Sequence, residues 1–139
     1  MFEINYLALF VSAIAAFAVG AIWFGPKTFF PVWWKLQGRK PEEAAGSGNV
    51  GLMFALTFVG QLAAGFAAAL VLKLEELAGF TVNAATGLQV GLLLGVFVAA
   101  AASLSHRLFA GQGYRVWLIE VGSDICSIVV MALILSVWR

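Results

Sequence analysis

The chain has 139 residues, of which 63% are hydrophobic and 11% charged, with a formal net charge of +1. A soluble domain of this length needs far more polar surface, and so small a charge leaves no footprint for nucleic acid. A single cysteine, Cys126, excludes an intramolecular disulfide and a thiolate metal cluster, and fits a reduced thiol among helices.

A membrane span needs about 20 apolar residues to cross about 30 Å of hydrocarbon. Four runs meet that length: residues 4–24, 50–74, 82–104 and 117–138. The expected fold is all-α, one transmembrane domain over residues 1–139. It is a bundle of four transmembrane helices with a short interfacial helix after the first span. Glu3 is the only charge flanking the first run, which has no basic leader and exceeds a signal core in length, so it reads as a retained helix.

Basic residues set the orientation. Loop one (25–49) carries Lys27, Lys35, Arg39 and Lys40, and loop three (105–116) carries Arg107 and Arg115. The opposite side has only Lys73 and Arg139, beside Glu75 and Glu76. This bias puts loops one and three in the cytoplasm and both termini outside, in a cell (inner or plasma) membrane. It argues against dual topology.

The first span repeats small residues at Ala8, Ser12, Ala16 and Gly20, a row that permits close helix approach, and Pro26 stops it. Residues 27–38 are aromatic, basic and too short to span. Pro31 suits the first turn of a short helix. Trp23, Phe29, Phe30, Trp33 and Trp34 then mark a headgroup-level segment, either a simple aromatic belt or a lipid-binding lip. Pro41, Gly46, Ser47, Gly48 and Asn49 break the linker that follows.

The second span has its own small row, Gly60, Ala64 and Ala68, with Gln61 near mid-membrane. Gln61 suits an interhelical hydrogen bond better than a substrate contact. The third span holds a glycine zipper, Gly87, Gly91 and Gly95, continued by Ala99 and Ser103. Its partner is open between the first span, the second span and the same helix of a second copy.

The last span carries two carboxylates, Glu120 and Asp124. With Ser123 and Ser127 they share one helical face. Ionisable residues inside a span are costly and mark functional sites by default. Counted from Trp117, Glu120 lies about 4 Å in and Asp124 about 10 Å at 1.5 Å per residue. Glu120 is thus near the interface, within reach of Arg115, Arg107 or His106. Asp124 must find a partner or give up its charge. Either the stripe is a proton or cation site, or it is a polar seam sealed by Gln61, Ser123, Ser127 and the loop-three cations.

No P-loop, zinc-protease helix, cysteine cluster or Ser-His-Asp set is present, and His106 is the lone histidine. No catalytic residue, metal or cofactor is expected, and an enzyme is not the expected reading.

Asn5, the Ala-rich helix ending in Gly20, Trp23-Phe24-x-Pro26, Phe29 or Phe30 and Trp33 resemble the family called Domain of Unknown Function 1761. His106-x-x-Phe109, Gly122 and Trp138 extend the resemblance to the C-terminal part. It implies a small multi-span membrane protein and supplies no activity. Near Glu120 and Asp124 the family pattern has amide or aromatic polar residues, so no mechanism is carried through the acid pair.

Two functions fit. One is a structural or accessory subunit that self-associates or docks in a larger membrane assembly, with the lipid bilayer and other membrane subunits as partners. The other is a small proton-coupled or cation-handling transporter that uses Asp124 and Glu120. Lipid binding through the aromatic segment is a third.

Overall fold

The computed structural model describes residues 3–43 and 48–139. The linker breakers Gly46 and Ser47 lie outside the described residues. Five helices follow in order: α1 (Tyr6–Trp23), α2 (Phe30–Leu36), α3 (Val50–Leu77), α4 (Ala84–Phe109) and α5 (Gly113–Val137). The fold is all-α. Four of the helices are long and apolar enough to cross a membrane, and α2 is the short one after the first.

Local chemistry sets the boundaries. The side chains of Asn5 and Asn49 accept the Ala8 and Leu52 amides, capping α1 and α3. Asn83 and Thr86 form a reciprocal capping box at the start of α4. At the end of α1, Thr28 Oγ1 folds back to the Trp23 carbonyl at 2.8 Å and accepts the Gly25 amide at 3.0 Å. Pro31 lies in the first turn of α2. Loop three is shorter than expected. α4 runs on to Phe109 and α5 begins at Gly113, so Arg107 and Arg115 are helical, not loop residues. The connection turns on Gly111, whose φ of 74° favours glycine.

α5 is the hub and contacts every other helix. One core cluster joins its Ala132 and Leu135 to Ala8 and Leu9 of α1, Ala68, Ala69 and Leu72 of α3, and Val90 of α4. A second joins Ile128 and Met131 to Ala16.

The glycine row of α4 lies against α5 of the same chain, a partner outside the alternatives the spacing had suggested. A Cβ at Gly91 would stand 2.6 Å from Val129 Cα, and one at Gly95 would stand 3.1 Å from Ile125 Cα. At Gly87 it would strike Ser136 and the Ala132 carbonyl. Backbone meets backbone here, so only glycine fits. The row runs into a π-helix over Leu93–Ala100, which contains Gly95, and Ala99 still packs against the cluster of Ile128 and Met131. Ser103 instead donates to the Ala100 carbonyl at 3.1 Å.

Gly20 and Gly60 are corrected. A Cβ at either position meets nothing within 4 Å among the described residues, so neither is a packing point inside the chain. On α3 that role falls to Gly65, against Leu9 and Met131. Toward its start the helix is less enclosed. Residues 50–57 are exposed on every side, and aromatic contact with α1 comes from edge-on pairs such as Phe10–Phe58 and Phe17–Phe54, each 5.8 Å between centroids.

Candidate functional site

The densest polar geometry lies where the exit of α1, helix α2 and the first turns of α5 meet. Trp23, the last residue of α1, donates its indole N–H to the Ile119 carbonyl at 2.8 Å. Its ring fills the space beside Gly122, where a Cβ would stand 2.5 Å from Cζ2. Phe29 packs on Trp23 at 4.6 Å, and Phe24 meets Trp33 edge-on at 5.1 Å. These contacts hold α2 against the bundle.

Glu120 binds across this junction. Its Oε1 accepts the Trp33 indole N–H at 3.1 Å, and its Oε2 accepts Arg107 Nε at 2.5 Å. Arg107 also donates to Gln112 Oε1 at 2.7 Å. One carboxylate thereby ties α2, α4 and α5 together, in the charge-assisted geometry that is stronger than a neutral pair. Of the cations proposed for Glu120, Arg107 is the partner. His106 is exposed and makes no side-chain bond among the described residues.

Nearby, Trp117 Nε1 donates to the Ala100 carbonyl and to Ser103 Oγ, both at 3.1 Å. That caps the end of the π-helix. Trp34 is buried, donates to the Lys40 carbonyl at 2.7 Å and carries the Arg39 guanidinium 4.8 Å above its ring.

The aromatic segment therefore divides. The indoles of Trp23, Trp33 and Trp34 are spent on protein contacts. The exposed apolar face of α2 is Phe29, Val32 and Leu36, with Phe30 stacked on Trp34 at 5.2 Å. Val32 and Leu36 were legible from their spacing of three and seven after Phe29.

The acid stripe is not one environment. Ser123 and Ser127 are buried, Ser127 Oγ lying 3.4 Å from the Ala16 carbonyl, while Asp124 is exposed. Asp124 has no hydrogen bond or ion pair among the described residues. It shares a face with Ile128, Met131 and Leu135 at helical spacing. From Ile128 onward that face is buried against α3, where Leu62, Ala64, Gly65 and Ala68 pack on it. Gln61, half-buried on α3, likewise makes no side-chain bond among the described residues. The sealed seam of Gln61, serines and cations is therefore not what the side chains form.

At the opposite end of the bundle a second polar group closes residues far apart in sequence. Glu76 Oε2 accepts from both Lys73 Nζ and Arg139 Nη2 at 2.7 Å, and Asn5 Nδ2 donates to the Arg139 carbonyl at 3.4 Å. Only the local Lys73–Glu76 spacing gave any sequence signal of it.

The family model described as "Protein of unknown function (DUF1761)" matches residues 7–136. The chain belongs to this family. As a DUF1761 member it is a multi-span membrane protein of unknown function. No curated protein and no solved structure matches it. Trp23, Phe29, Trp33 and Gly122, which carry its resemblance to DUF1761, come together at the junction of α1, α2 and α5.

Proposed function

We infer that this protein acts by helix association in the bilayer, joining a second copy of itself, or another membrane subunit, and carrying out no reaction of its own. The observation that supports this most is Asp124. It is exposed near the middle of α5, with no hydrogen bond or ion pair among the described residues, and residues 50–57 of α3 are exposed as well. An ionisable side chain in that position is costly against lipid and is relieved by a polar partner from another chain. Gly60 and the exposed apolar residues Leu52, Leu56 and Val59 lie on the same half-helix and offer surface for close approach.

The test replaces Cys126 with alanine, places single cysteines at Gly60 and Leu56, and oxidises membranes. Disulfide-linked dimers, lost on Asp124→Asn, are expected for a second copy. Monomers alone, together with free monomers in native mass spectrometry, would reject self-association.

A transporter is the second reading, favoured by the unpaired carboxylate of Asp124. It requires pH-dependent cation flux in liposomes that Asp124→Asn removes. The two cavities described lie at the Arg139 end and beside Phe17 and Phe58, and neither is lined by Asp124. The excess of basic residues supports assigning the α2 end to the cytoplasm.

A further inference from the structure

A groove of about 320 Å³ lies between α1 and α3 and opens to the outside of the bundle. Ile14, Phe17 and Ala18 of α1 and Phe54 and Phe58 of α3 line it, so its wall carries no polar side chain. Phe17 ties the two helices together there, meeting Phe54 at 5.8 Å and Phe58 at 6.2 Å between ring centroids, both edge-on. Water or a soluble polar ligand finds no hydrogen-bond partner in such a groove. A hydrocarbon chain needs none.

The groove has a definite depth. Phe17 precedes the end of α1 at Trp23 by six residues, and Phe54 follows the start of α3 at Val50 by four. At 1.5 Å per residue it begins about 6–9 Å inside the helices, counted from the α2 end. That is where the upper part of an acyl chain lies when its headgroup stays level with the helix ends.

Charge at that end selects the headgroup. Residues 25–49 and 105–120 carry six Lys and Arg against three Glu. Lys27 stands four residues beyond Trp23, in the turn by which the chain leaves the α1 wall of the groove. It is exposed and makes no side-chain hydrogen bond or ion pair among the described residues. Directly after it, the exposed Phe29, Val32 and Leu36 suit a helix that lies in the headgroup layer. Lys27 is thereby brought to the level of lipid phosphates.

We propose that this groove holds one acyl chain of an anionic phospholipid, whose phosphate rests on Lys27. The site is separate from the association surface of α3. Phe54 and Phe58 each stand two residues from Leu56, about 200° around the helix, and Gly60 is as far again from Phe58. Lipid binding here and self-association through Leu56 and Gly60 can therefore fail independently.

The experiment is native mass spectrometry of the full chain with phosphatidylglycerol and phosphatidylcholine of identical chains, and separately with glycerophosphoglycerol. Phosphatidylglycerol is expected to be retained about fivefold over phosphatidylcholine, the ratio one basic side chain at an anionic surface supports. Lys27→Gln should bring the two lipids close to parity. Ala18→Trp fills the groove from an exposed position and should cut the retention of both lipids several-fold, with the unfolding midpoint in place. Should it lower the midpoint, the smaller Ala18→Ile, read the same way, decides. Glycerophosphoglycerol, a headgroup without chains, should not bind. Equal retention of the two lipids, a preference untouched by Lys27→Gln, or retention untouched by filling the groove overturns the proposal. So does efficient disulfide dimerisation of Ala18→Cys in a Cys126→Ala background, which would put a second copy in the groove.

Discussion

The indole of Trp23 occupies the space that a side chain at Gly122 would need, while its N–H closes on the Ile119 carbonyl of the same helix. Gly122→Val should force the ring out and cost about 1–3 kcal/mol, as overpacking does. Trp23→Phe keeps a ring there and loses the hydrogen bond, for about 1 kcal/mol. Thermal unfolding in detergent, followed by circular dichroism, separates the two.

Two glycine substitutions should diverge. Gly91→Leu drives a side chain into the Val129 backbone, which has no rotamer to yield, and should part α4 from α5 with a clear loss of thermal stability. Gly60→Leu meets open space. It should leave the fold within about 0.5 kcal/mol, or stabilise it slightly through helix propensity. If α3 associates with another chain, Gly60→Leu should still reduce crosslinking.

Arg107 and Glu120 should be coupled. A double-mutant cycle of Arg107→Gln and Glu120→Gln should give about 1 kcal/mol, since the Arg107 side chain is partly open to solvent screening. Glu120→Gln alone should also loosen α2, seen as faster amide exchange across Phe30–Leu36.

Asp124→Asn should leave the unfolding midpoint of the monomer nearly unchanged, because its side chain has no hydrogen bond or ion pair among the described residues. Its effect belongs in association assays. A large fall in monomer stability would show that Asp124 has an internal partner.

The spans and the short helix were legible because length and apolar content suffice to define them. What faces what was not. Gly20, Gly60 and Gly87 sit in rows that look alike in sequence, yet of these three glycines only Gly87 faces a neighbouring backbone, although Ala8, Ala16 and Ala68 of the other rows are buried. Period identifies a face and is silent about which helix lies opposite. The acid stripe misled for a related reason. Glu120, Ser127 and Asp124 share an angle on α5, but α2 and α4 cover the first, α1 the second and nothing described the third. His106 and Arg107 were equal candidates for Glu120. The continuation of α4 to Phe109 turns one outward and the other onto α5. The Glu76–Arg139 pair spans 63 positions and had no local signal at all.

The tryptophans give the molecule an uneven optical signature. Trp23, Trp33, Trp34 and Trp117 are all hydrogen-bonded at the α2 end, whereas Trp138 lines the cavity at the other. Intrinsic fluorescence therefore speaks mostly for one end of the bundle. Removing the indole of Trp138 with phenylalanine would leave an emission that reports α2 docking alone, and the difference from the parent spectrum would be a single-site probe of the cavity.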